Sequence, residues 1–133
     1  MQEKVLKLWK LFNEVALDFK IKVISPKIPI ERFFQANNEE AIIKELIELS
    51  NPSIEDNTIF VFPEGALAGV YLNQLKEFKM IFEKDFSKNH IIIMGINTQK
   101  KINNSSKIYN SMVVLDNKLN LISEYNKIKL VPF

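Results

Sequence analysis

Two residues in this sequence carry groups suited to proton transfer and charge stabilisation, each set among apolar neighbours. Glu64 sits in Phe62-Pro63-Glu64-Gly65, straight after the β-branched and aromatic run Thr58–Phe62. In open α/β sheets, ligands bind at the carboxyl ends of strands, so a carboxylate there points into the functional crevice. Gly65 lets the backbone turn sharply behind it. The same position also suits a glutamate that only begins a turn or caps the next helix. Lys127 is the second candidate, in Tyr125-Asn126-Lys127-Ile128-Lys129-Leu130. With period-two alternation Lys127 and Lys129 share a face, and geometry alone does not choose between them. A further reading makes both of them solvated lysines on an edge strand, a common guard against aggregation.

Composition removes most other chemistries. The 133 residues are 47% hydrophobic and 26% charged, ordinary for one soluble domain, and the net charge of +2 is too weak to argue for nucleic acid or an anionic membrane. With no cysteine, the chain holds no disulfide, thiol nucleophile or thiolate metal site. The single histidine, His90, argues against a histidine-rich zinc site or a Ser-His-Asp triad, and reads as structural. There is no nucleophile elbow, P-loop or dinucleotide fingerprint. Asp18, Asp56, Asp85 and Asp116 lie too far apart for a calcium loop. The phenylalanines follow core periodicity, which leaves a base-stacking platform little support. No apolar run approaches the roughly 18–20 residues that cross a bilayer, and no signal-peptide pattern opens the chain.

The elements that must position these groups follow from periodicity. Val5, Leu8, Leu11, Phe12, Val15 and Phe19 predict an amphipathic lead-in helix over residues 1–19, basic on its polar face. Residues 20–24 alternate as a strand that Pro26 and Pro29 must end. A helix is expected over 38–49, with Asn37 as cap and Glu40 three positions on. Thr58–Phe62 and residues 91–95 read as apolar strands covered on both faces, with one long helix over 70–86 between them. Residues 100–107 read as a polar loop. Strands over 108–115 and 120–125 form a hairpin through Asp116-Asn117-Lys118. The order β-α-β-α-β-β-β is that of an α/β domain spanning 20–133. The ending Leu130-Val131-Pro132-Phe133 is apolar, and the expectation is that the domain is cut there rather than finished.

These blocks together resemble the carbon–nitrogen hydrolase (nitrilase) superfamily, and within it the apolipoprotein N-acyltransferase branch. Thr58–Phe62 with Pro63-Glu64 is similar to the block that carries the family's glutamate. Lys107-Ile108-Tyr109-Asn110-Ser111 through Val113-Val114-Leu115-Asp116 is similar to its Tyr-Asn-Ser strand and hairpin. Tyr125-x-Lys127 followed by Leu130-Val131-Pro132-Phe133 resembles the lysine block of the N-acyltransferase branch, and Val23-Ile24-Ser25-Pro26-Lys27-Ile28-Pro29 its opening strand. The resemblance runs from about residue 20 to the end. It selects Lys127 over Lys129 and implies a Glu-Lys-Cys triad with Glu64 as general base and Lys127 stabilising thiolate and oxyanion. It implies no cofactor or metal, and phospholipid and lipoprotein as substrates. It also implies an α-β-β-α sandwich, of which this chain would hold the front part. The family's cysteine, the Gly-Glu after Leu-Val-Pro-Phe and the preceding membrane helices have no counterpart here. The resulting expectation is a fragment inactive alone, self-associating or docked to a companion chain that supplies the cysteine. The alternatives are a non-catalytic docking half and a remnant of a soluble amidase. The resemblance implies an inner-membrane enzyme facing the periplasm; this chain made alone is expected in the cytoplasm.

Overall fold

The computed structural model describes residues 18–33 and 38–128. The helix expected over 1–19 falls outside them but for its last two positions, and Asn37, Lys129 and the Leu-Val-Pro-Phe ending fall outside them altogether. Five strands form one mixed sheet in the order β1-β2-β3-β4-β5. They are β1 (Lys20–Val23), β2 (Thr58–Phe62), β3 (His90–Ile102), β4 (Ser105–Leu115) and β5 (Leu121–Asn126). β1, β2 and β3 run parallel, while β4 and β5 pair antiparallel.

Helix α1 (Glu39–Ser50) joins β1 to β2. Its first turn is capped by Asn38, one residue later than the sequence suggested, with the Ala41 N–H donating to Asn38 Oδ1 at 3.1 Å. Its last turn closes at Asn51, whose left-handed φ of 40° is followed by Pro52. Between β2 and β3 the expected long helix is broken into α2 (Leu72–Leu75), a 3-10 turn (Lys76–Phe78) and α3 (Lys79–Asp85). Spacings of three and four suit both helix types, so Leu75, Phe78 and Phe82 keep one face through the break.

The two parallel crossovers step in the same direction across the sheet. Crossovers of this kind are right-handed, so two in succession lay their helices on the same face. That face holds the core: Phe60, Phe62, Ile92, Met94, Val113 and Leu115 pack against Ile43, Leu46 and Ile47 of α1 and against Leu75, Phe82 and Phe86. Leu119, held at φ 60° in the turn after β4, is also buried there. His90 is structural: the Ser87 N–H donates to Nδ1 at 3.0 Å, so Nε2 carries the proton and meets Ser53 O at 2.8 Å.

Among the described residues no helix packs on the other face. Ile59, Val61, Ile91, Ile93 and Val114 are half-buried there, and Ile21, Val23, Met112 and Tyr125 are exposed. Among the described residues the cover expected on both faces of β2 and β3 is seen on one face alone. The described residues form one sheet and one helical layer, two of the four layers that the resemblance implies. Residues 100–107 also differ from the expected loop. β3 and β4 continue as a paired two-stranded arm closed by Asn103 at φ 55° and Asn104. Polar side chains suit this arm because it projects beyond the core and is exposed throughout.

Candidate functional site

Pro63 cannot extend the β2 ladder, and the chain turns at once, with the Ala66 N–H donating to Pro63 O at 3.3 Å and Gly65 at φ 79°. The turn presses Glu64 against β3. A Cβ placed on Gly95 would lie 3.1 Å from Glu64 Cα and 3.3 Å from its Cβ, so a side chain at 95 would have to push the turn back by a few tenths of an ångström. Glu64 thus stands at the carboxyl end of β2, on the rim of the uncovered face.

Lys127 reaches the same place from the other edge. Its N–H donates to Asn110 O at 2.8 Å, carrying the β4–β5 ladder one residue past Asn126. Its Nζ lies 3.9 Å from Glu64 Oε2, an ion-pair distance rather than a hydrogen bond. The structure therefore brings together the two residues singled out from the sequence, 63 positions apart (127 − 64). Glu64 is 63% exposed and Lys127 37%, so the pair contributes at most about 1 kcal/mol to folding. Stability does not account for their meeting.

Asn110 Nδ2 donates to Glu64 Oε1 at 2.5 Å. Beside the pair lies an open depression of about 400 Å³, floored by Val61, Ile93 and Met112 and bordered by Tyr125 and Lys127. Its lining is apolar, with the charges confined to the rim. Through the sheet, on the helix-covered face, Ser111 Oγ donates to Asn126 Oδ1 at 2.7 Å and lies 2.8 Å from Thr98 Oγ1. Thr98 Oγ1 in turn is 3.1 Å from Glu124 Oε1. This buried polar cluster fixes the residue before Lys127.

Gly95 and Asn110 were not among the sequence candidates. A glycine closing the apolar run 91–94 is a signal of close backbone approach, and Asn110 lies in the Tyr-Asn-Ser block, so both had a visible trace. The aspartates do other work. Asp56 pairs with Lys20 at 2.8 Å, and the hydrogen bond from Lys20 holds its carboxyl below the usual range. For Asp116, burial raises the carboxyl, but hydrogen bonds from the Asn120 side chain and from the Asn120 and Lys118 N–H groups outweigh it. The net direction is downward.

No family model matches the chain. Two curated relatives align with most of it. The apolipoprotein N-acyltransferase of Aquifex aeolicus (strain VF5) is 36% identical over 116 residues, 86% of this chain and 25% of the relative. That of Rickettsia prowazekii (strain Madrid E) is 28% identical over 119 residues, 87% of this chain and 23% of the relative. The chain thus spans about a quarter of the length of these relatives. Among solved structures, crystal structures of N-terminal amidase are similar at a TM-score of 0.49 and 23% identity, covering 84% of this chain and 28% of that one. Among the described residues no helix is long and apolar enough to cross a membrane. Most of the chain is thus similar to part of two N-acyltransferases, and these similarities support a partial carbon–nitrogen hydrolase domain.

Proposed function

We propose that this chain contributes the base and the cation of an N-acyltransferase site whose thiol nucleophile comes from polypeptide outside these 133 residues. The observation that carries this reading is the meeting of Glu64 and Lys127 at a strand end, beside an apolar depression. The names of the aligned relatives favour acyl transfer over amide hydrolysis.

In this reading Glu64 Oε2 takes the thiol proton, and the sulfur attacks the ester carbonyl of a phospholipid. Lys127 stabilises the thiolate and then the oxyanion of the tetrahedral intermediate, where fixed positive charge is most effective. The ester C–O bond breaks as the proton passes from Glu64 to the leaving alkoxide, and the acyl chain remains as a thioester. The amino-terminal amine of a lipoprotein then attacks that thioester; the amide forms as the C–S bond breaks, and the amine's proton returns through Glu64 to the departing thiolate. The uncovered sheet face takes the remainder of the domain, which brings the thiol to the rim. Without that remainder the chain has no thiol nucleophile, and in this reading it takes up no acyl group.

The test is mass spectrometry after incubation with phospholipid, with the chain alone and with a companion polypeptide carrying the cysteine-bearing remainder of such a domain. The expected result is no adduct on this chain, and an acyl adduct on the companion that Glu64→Gln or Lys127→Met reduces by several orders of magnitude. An acyl adduct on the chain alone, or one indifferent to both substitutions, overturns the reading.

A further inference from the structure

We infer that Asn110 is the positioning residue that holds Glu64 and Lys127 at their working separation. This rests on the reading of those two residues as the working pair. Asn110 grips the two partners with different parts of itself. Its side chain donates to Glu64 Oε1, and its backbone carbonyl accepts the Lys127 N–H at 2.8 Å. Its own place is fixed by pairing with Asn97 across the β3–β4 ladder.

The consequence for the carboxylate is an asymmetry. Oε1 is occupied by the Asn110 amide, so Oε2 is the oxygen left facing Lys127 at 3.9 Å. Gly95 sets where the Glu64 backbone sits, but several side-chain torsions lie between that backbone and the carboxylate, which is largely exposed. Without the amide donor nothing in the pair itself holds these torsions, because an exposed ion pair at this distance is too weak to do so. Replacing the Asn110 side chain leaves its carbonyl in place. Lys127 should therefore stay while Glu64 is released.

Zero-length carbodiimide coupling of the purified chain tests this, because it joins a carboxylate to an amine only where the two already meet. The isopeptide between Glu64 and Lys127 is quantified by peptide mass spectrometry. It is compared with the products of two remote pairs in the same sample, Lys44–Glu40 and Lys20–Asp56, which stand at 2.6 and 2.8 Å. Asn110→Asp replaces the donor with a like charge, and Asn110→Ala removes it. Each should lower the Glu64–Lys127 product about threefold relative to both remote pairs, as expected for losing one exposed hydrogen bond. A general loosening of the fold would move all three products together. An unchanged ratio in both variants overturns the role of Asn110 while leaving the pair intact. A native chain that couples the remote pairs but never Glu64 to Lys127 overturns the pair itself.

Discussion

The two faces of the sheet are made of the same kinds of residue and do different things. On one, Phe60, Ile92, Val113 and Leu115 are sealed under three helical segments. On the other, Ile59, Val61, Ile93, Met112 and Tyr125 form a surface of comparable chemistry that nothing in the described structure covers. Handedness explains the asymmetry among the described residues, since two successive right-handed crossovers place their helices on one side. The covered face accounts for folding. The uncovered face carries Glu64 and Lys127 on its rim, and monomers rarely leave such apolar surface open beyond about 300–600 Å².

The contrast can be broken most sharply by truncating matched residues on the two faces. Phe60→Ala should cost about 3–5 kcal/mol in denaturant unfolding, because it removes a buried ring and leaves a cavity beside Phe86 and His90. Met112→Ala, on the half-exposed side, should cost less than about 1 kcal/mol. Equal losses would mean that both faces contribute equally to the core.

A smaller effect sharpens the boundary between the faces. Gly95→Ala adds a methyl group at 3.1 Å from the Glu64 backbone, so either the turn or β3 must shift, at about 1–3 kcal/mol. The Glu64–Lys127 coupling product should fall with it. A variant that unfolds as the native chain does and couples normally would show that the close approach at Gly95 does not set the site.

The smallest effect concerns the β4–β5 turn, which belongs to the covered side through Leu119. The Asp116 carboxyl is depressed in the folded chain relative to its ordinary value of 3.8. A depressed carboxyl contributes stability that is fully present above the unfolded value and is lost as pH falls through the folded one. Acid titration below about 3.8 should therefore destabilise the native chain more than Asp116→Asn, read as a difference in melting temperature against pH. Parallel curves would show that the turn does not depend on the charge.

Much of this arrangement was legible in the sequence. The strands were, because runs such as Thr58–Phe62 have the composition and length of buried strands, and so was α1, through its stripe Ile42, Ile43, Leu46 and Ile47. Glu64 stood out through its place after a strand. Lys127 became distinct from Lys129 only by resemblance, and Lys129 lies outside the described residues. The uncovered face was not legible, because an apolar position reads the same whether a helix covers it or another polypeptide must. The β3–β4 arm was missed for the opposite reason. Its residues over 100–107 are polar apart from Ile102, tied in part by a diagonal hydrogen bond from Gln99 to Ser106 at 2.5 Å, and lack the alternation that marks a half-buried strand.

In the function proposed above, the uncovered face is one wall of a site completed by another polypeptide surface. Sedimentation velocity of the purified chain, with hydrophobic-dye fluorescence on the same sample, tests it most directly. The native chain should self-associate and bind the dye. A Met112→Lys, Tyr125→Lys variant should be a dye-negative monomer with an unchanged melting temperature, because neither side chain belongs to the covered core. A native chain that is itself a stable, dye-negative monomer would contradict the account.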